Sequence, residues 1–142
     1  VAHVSVVTGR REIGAPAADL FDAWLDAGKL AAWMRPFDTI RSDVKLDPRV
    51  GGEFEIVMHT PTGSVPHTGS YQEITRPRRI VFTWSIAGHG DDDPSIVMID
   101  ITPTADGCSL RLIHEMDEKW AEFVGRSRDA WQKMLGVLAT LL

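Results

Sequence analysis

The sequence predicts an α+β domain in which a curved seven-stranded antiparallel sheet grips a long C-terminal helix, with two short helices after the first strand. Three observations predict it. Between residues 38 and 115, six segments alternate apolar and polar side chains or are rich in β-branched and aromatic residues. Pro, Gly and Asp punctuate the gaps between them, as in Thr62-Gly63, Arg76-Pro77, Gly88-His89-Gly90 and Asp106-Gly107. Helical spacing occurs in two places only, shortly after Pro16 and from Trp120 to the end. A chain of 142 residues with 44% hydrophobic and 25% charged content fits one domain, 1–142, with a substantial core.

Residues 3–14 alternate loosely through Val4, Val6 and Ile13 and read as the first strand. From Pro16 the period changes: Leu20, Phe21, Trp24 and Leu25 share one face, so a helix is expected from Pro16 to Asp26, ended by Gly28. Lys29 to Met34 forms a second short turn of helix, closed by Pro36. Strands are expected over 38–47, 53–60, 67–75, 79–87, 95–103 and 108–115, short connections making them an antiparallel meander. In "DPRVGGEFEI", residues 47–56, two glycines stand where alternation begins, which reads as a strand entered through a bend, a device for curving the sheet. At the C-terminal end Trp120, Val124, Ser127, Trp131, Met134, Leu138 and Leu141 recur at three- and four-residue spacing. Such a helix would span about 36 Å, enough to cross a whole sheet, with Gly125 and Gly136 as points of bending.

Polarity decides which faces look inward. Phe54, Ile56 and Met58 oppose Glu53, Glu55 and His59 on their strand, so the apolar set points to the core. By the same rule Phe82, Trp84 and Ile86, then Val97, Ile99 and Ile101, then Leu110, Leu112 and His114 point in. A strongly curved sheet gripping a helix leaves space between the two, and that space is the expected binding pocket. The candidate ligand-contacting residues are Trp33, Phe54, Met58, Tyr71, Trp84, His114, Trp120 and Val124. Trp33, Trp84, Trp120 and Trp131 also serve as core. His114 has two readings, a group that bonds a ligand or takes a proton, and a core-edge histidine bonded to backbone or to Glu73.

Charge and composition exclude several classes. Fifteen Lys and Arg against twenty Asp and Glu give a net charge of -5, with the basic residues scattered, so neither nucleic acid nor an anionic membrane is an expected partner. Arg76, Arg78 and Arg79 around Pro77 suit a solvated hairpin turn. Cys108 is the only cysteine, which fits a reducing cytoplasm, and no apolar run approaches the roughly 20 residues of a membrane helix. Asparagine is absent and Arg outnumbers Lys, a bias of GC-rich bacterial genomes. No metal or cofactor is expected: His59, His67 and His89 lack the spacing of a zinc site, and Asp91-Asp92-Asp93 lacks the spaced ligands of a calcium loop. Nor is a nucleophile tied to a base, and no glycine-rich phosphate signature occurs.

A family resemblance runs through the chain in order. Ala15-Pro16 with Leu20-Phe21-Asp22-Ala23-Trp24, the Trp33-Met34-Arg35-Pro36 turn, Asp47-Pro48-Arg49-Val50-Gly51-Gly52-Glu53-Phe54, Gly69-Ser70-Tyr71-Gln72-Glu73-Ile74, Arg79-Ile80-Val81-Phe82-Thr83-Trp84, and Ala130-Trp131-Gln132-Lys133-Met134-Leu135 resemble the successive motifs of the AHSA1-like branch of the START/Bet v 1-like (SRPBCC) superfamily. The resemblance implies a helix-grip fold, and a small protein binding an apolar or aromatic molecule in its cavity. It also implies two alternatives. One is a cyclase- or hydrolase-type enzyme using the same cavity, which would need His114, Tyr71 or Glu73 to converge. The other is a stress-related interaction domain serving an Hsp90-type chaperone, an activity expected not to carry over because only the C-terminal type of domain is represented. Homodimerisation through a sheet edge or helix is compatible with all three.

Overall fold

The computed structural model describes residues 3–86 and 94–142. Seven strands form one antiparallel sheet: β1 (His3–Ile13), β2 (Arg41–Leu46), β3 (Glu53–Thr60), β4 (Gly63–Thr75), β5 (Arg79–Ile86), β6 (Ser95–Thr104) and β7 (Gly107–Asp117). Their order is β1-β7-β6-β5-β4-β3-β2, so consecutive strands from β2 to β7 are neighbours and β1 closes the far edge against β7. Helices α1 (Ala17–Ala23) and α2 (Ala27–Trp33) carry the chain from one edge of the sheet to the other.

The expected single helix over 16–26 is shorter than its periodicity suggests. Asp26 accepts a hydrogen bond from the Lys29 backbone N–H at 2.9 Å and caps α2, so α1 stops at Ala23 and Gly28 lies inside the second helix rather than ending the first. The C-terminal segment also differs from one unbroken helix. A 3₁₀ turn over Glu118–Phe123, capped by the Asp117 carboxylate, precedes α3 (Val124–Leu141), whose length is about 27 Å at 1.5 Å per residue.

The inner face of the sheet and α3 form one core. Phe54, Ile56, Met58, Phe82, Trp84, Val97, Ile99, Ile101, Leu110 and Leu112 are buried on the strands, and Trp131, Met134, Leu135 and Leu138 are buried on α3. These spacings, two along strands and three or four along the helix, are the apolar periods of the sequence turned inward. Leu20, Phe21, Trp24, Leu30, Trp33 and Met34 on and between the short helices complete the same cluster. Ile86 departs from the pattern, being 40% exposed at the end of β5.

Two strands carry register irregularities along their length. Register shifts occur between Val7 and Arg10 on β1 and between Tyr71 and Glu73 on β4. Gly51-Gly52 leads the chain from β2 into β3 and pairs with Tyr71 beside the second of these shifts. Gly51 holds φ +85° and donates to the Tyr71 carbonyl at 2.9 Å, while a Cβ on Gly52 would collide with the Asp47 carbonyl. Gly69, midway along β4, is equally constrained: a side chain there would strike the Thr83 carbonyl and the Phe54 ring. Gly69→Ala is therefore expected to lower stability by about 1–3 kcal/mol, through overpacking against backbone that cannot yield. The same change at Gly136, which sits in α3 with open space where its Cβ would be, should raise it by about 0.5–1 kcal/mol. Urea midpoints of the two variants moving in the same direction would contradict this placement.

Candidate functional site

Where α3 rises from its 3₁₀ turn, it stands away from the ends of β4, β5, β6 and β7 and leaves a cleft with two adjoining lobes. One lobe, of about 450 Å³, lies among Trp84, Ile86, Ser95, His114, Met116, Asp117, Trp120, Phe123 and Ser127. The other, of about 340 Å³, extends toward the α2–β2 connection, where Phe37, Asp38, Met58, His67, Arg126, Trp131 and Met134 line it. Val65, Trp84, Ile86, His114, Phe123 and Ser127 line both. Exposed Phe37, Ile86 and Phe123 contribute apolar surface at its edges.

One chain of hydrogen bonds fixes the inner wall. The Trp131 indole N–H donates to His114 Nδ1 at 3.1 Å. An indole nitrogen can only donate, so Nδ1 of His114 carries the lone pair and its proton sits on Nε2. Nε2–H then donates to Ser95 Oγ at 2.7 Å, and the Ser95 hydroxyl donates to the Trp84 carbonyl at 2.6 Å. Helix α3 is thereby tied through β7 and β6 to β5. Burial pushes the His114 pKa down to about 4, which agrees with a neutral ring held in one tautomer. Glu73 is not among its partners and bonds instead with Arg79 and Thr75 at the surface.

Aromatic contacts continue the wall. Trp84 packs on Trp131 at 5.2 Å between ring centroids and on His67 at 4.9 Å. His67 is buried, donates from Nδ1 to the Val65 carbonyl at 3.1 Å, and has its pKa lowered chiefly by burial. Trp120 and Phe123 face each other at 5.8 Å across the 3₁₀ turn.

The structure divides the candidate residues. Met58, Trp84, His114 and Trp120 line the cleft. Trp120 is half-buried, not a core residue, because the 3₁₀ turn carries it off the sheet. Phe54 and Tyr71 border a separate small void of about 10 Å³ that also touches Trp84. Burial, together with the Asp47 carboxylate, pushes the Tyr71 phenol up to about 12. Trp33 is fully buried beside Trp24, its indole N–H donating to the Ala23 carbonyl at 3.2 Å, and Val124 is half-buried outside the cleft lining. His114, Tyr71 and Glu73 therefore have separate surroundings.

Outside the candidate set, the cleft uses His67, Ser95, Met116, Phe123, Ser127, Phe37 and Arg126. Period-two alternation carries a signal for three of them. His67 shares parity with Tyr71, Ser95 with Val97, and Met116 with His114.

Among the described residues no group of three or more His, Cys, Asp or Glu side chains is placed to hold a metal ion. His89 and Asp91-Asp92-Asp93 lie outside the described residues. His59 bonds Ser64 and Asp43, at 2.8 and 2.7 Å. Arg76 grips Asp22 with two hydrogen bonds and ties the β4–β5 turn to α1. No helix among the described residues is long and apolar enough to cross a membrane.

Among solved structures, a Chromobacterium violaceum protein is 24% identical, with a TM-score of 0.82 over 99% of this chain and 97% of its own. A Nitrosomonas europaea protein is 23% identical, with a TM-score of 0.80 over 99% of this chain and 93% of its own. A protein of the dynemicin biosynthetic locus is 17% identical, with a TM-score of 0.77 over 97% of this chain and 46% of its own. No curated protein matches the chain. These likenesses show the helix-grip architecture. Residues 14–142 match the model of the activator of Hsp90 ATPase homolog 1-like proteins, and the chain belongs to that AHSA1-like family of the START/Bet v 1-like superfamily.

Proposed function

We propose that this protein holds an apolar or aromatic small molecule in the cleft between the sheet and the start of α3. The observation that carries the proposal is the cleft itself, two adjoining lobes of about 450 and 340 Å³ walled by Trp84, Trp120, Phe123, Met58 and Met116. Small-molecule sites occupy this range, typically about 300–1,000 Å³, and combine apolar walls with a few placed polar groups. Ser95 and Ser127 supply such groups here.

Holding is favoured over chemistry by the state of His114. A general base at neutral pH needs a free lone pair and a pKa near 7. The Nδ1 lone pair of His114 accepts from Trp131, and burial holds the ring near pKa 4. Its role is to position Trp131 and Ser95 as a fixed wall. A reducing compartment such as the cytoplasm suits the lone, buried Cys108.

The test is titration with N-phenyl-1-naphthylamine, a neutral apolar fluorophore. Ser127 lines both lobes, so Ser127→Trp should obstruct them. Saturable one-site binding is expected for the wild type, with affinity at least about tenfold lower in the variant, a cost of about 1.4 kcal/mol. An unchanged thermal midpoint would show that the variant is folded. Equal binding by the two proteins would place the probe elsewhere and reject the cleft.

A further inference from the structure

We infer that the molecule this cleft selects carries an anionic group, a carboxylate on an apolar or aromatic body, bound at the Arg126 end. The inference rests on the cleft being a ligand site and adds the ligand's charge and orientation. Arg126 lines the lobe nearest the α2–β2 connection, and its guanidinium carbon lies 4.4 Å from the centroid of the Phe37 ring. Lys133, two turns further along α3, places Nζ 5.9 Å from the same centroid. Among the described residues neither cation has an ion pair with a carboxylate, although the chain as a whole is acidic at -5.

The arrangement leaves recognition chemistry available. A guanidinium lying on a ring engages it through its flat face, while its N–H donors point outward in the plane. That edge is a two-pronged donor matched to a carboxylate, which accepts two parallel hydrogen bonds. Phe37 is held in a left-handed conformation, φ +53°, which is unfavourable for a bulky side chain. Strain of this kind persists where the surroundings impose it and concentrates at ligand sites. Asp38 lines the same lobe, so this end of the cleft sets one carboxylate beside the Arg126 cation, while Lys133 approaches Phe37 from outside the lining. Deeper in, Trp84, His67 and Trp131 present aromatic surface to the rest of the molecule.

Isothermal titration with a matched pair of probes, 2-naphthoate and 2-naphthylmethanol, tests the inference. Wild type should bind the acid about tenfold more tightly than the alcohol at low salt, and the preference should shrink as salt rises. In Arg126→Gln the ratio should fall to about one. A wild-type ratio of one overturns the anionic group, and a tenfold ratio that survives in Arg126→Gln overturns its placement at Arg126; either result leaves the cleft as a ligand site. Failure of both naphthyl compounds also overturns it, and takes the cleft with it only if N-phenyl-1-naphthylamine fails to bind as well.

Discussion

Replacing Trp131 by alanine is expected to lower the unfolding free energy by about 3–5 kcal/mol, the range for truncating a large aromatic side chain in a core. The residue is 2% exposed and touches three separate parts of the fold. Its ring packs on Trp84 at 5.2 Å and on Trp24 at 6.2 Å, while its indole N–H holds His114. Truncation thus removes apolar contacts to β5 and to the α1–α2 corner, and leaves His114 Nδ1 without its donor. Trp131→Phe separates the two effects. It keeps most of the ring and loses the hydrogen bond, which should cost about 1–3 kcal/mol for the unsatisfied acceptor plus a smaller packing loss. Urea denaturation of both variants gives the numbers, and an unchanged midpoint for Trp131→Ala would contradict the placement of α3 on the sheet. Both variants should also weaken binding of N-phenyl-1-naphthylamine, because the cleft wall formed by Trp84 and Ser95 is braced through His114.

The reach of the sequence follows from what its patterns encode. Alternation along 53–60, 79–86 and 95–104 reports which side chains face a core, because a strand has only two faces, and the predicted inward residues other than Ile86 lie where that rule puts them. Position along the core is a different matter. Phe54, Tyr71 and Trp84 all point inward, yet only Trp84 reaches the cleft, since the others lie where Trp24, α2 and the sheet surround the small void. No period in the sequence distinguishes the filled end of a core from the open end. The 3₁₀ turn was hidden for a related reason: Trp120 and Val124 keep helical spacing, while Asp117 caps a tighter turn that lifts Trp120 to the cleft edge. Phe37 and Arg126 meet across a loop and a helix far apart in the chain, a contact for which local sequence carries no sign.

Acidification through the range from about pH 6.5 to 4 is expected to remove about 3 kcal/mol of stability through His114. An unfolded histidine titrates near pH 6.5, whereas burial holds His114 at about 4 in the folded protein. The folded state therefore binds fewer protons than the unfolded state within that window, and stability must fall as pH falls. Above the unfolded value both states are neutral and the stability is fully present; below about 4 both are protonated and this loss is complete. The interval between the two values, at 1.36 kcal/mol per pH unit, gives the magnitude of about 3 kcal/mol. His67, also lowered chiefly by burial, adds in the same direction. The carboxylates of Asp22 and Asp43, held below the usual carboxylate range by hydrogen bonds from Arg76 and His59, lose their contribution mainly at lower pH, so the upper part of the window isolates the histidines. Urea unfolding at pH 7, 5.5 and 4.5 measures the slope. His114→Asn cannot titrate and should flatten it, leaving the share due to His67; a slope as steep as the wild type would show that His114 is not the group responsible. An NMR titration of the folded wild type provides the direct check, since a His114 ring that protonates near pH 6.5 would mean that the buried network from Trp131 to Ser95 does not hold it neutral.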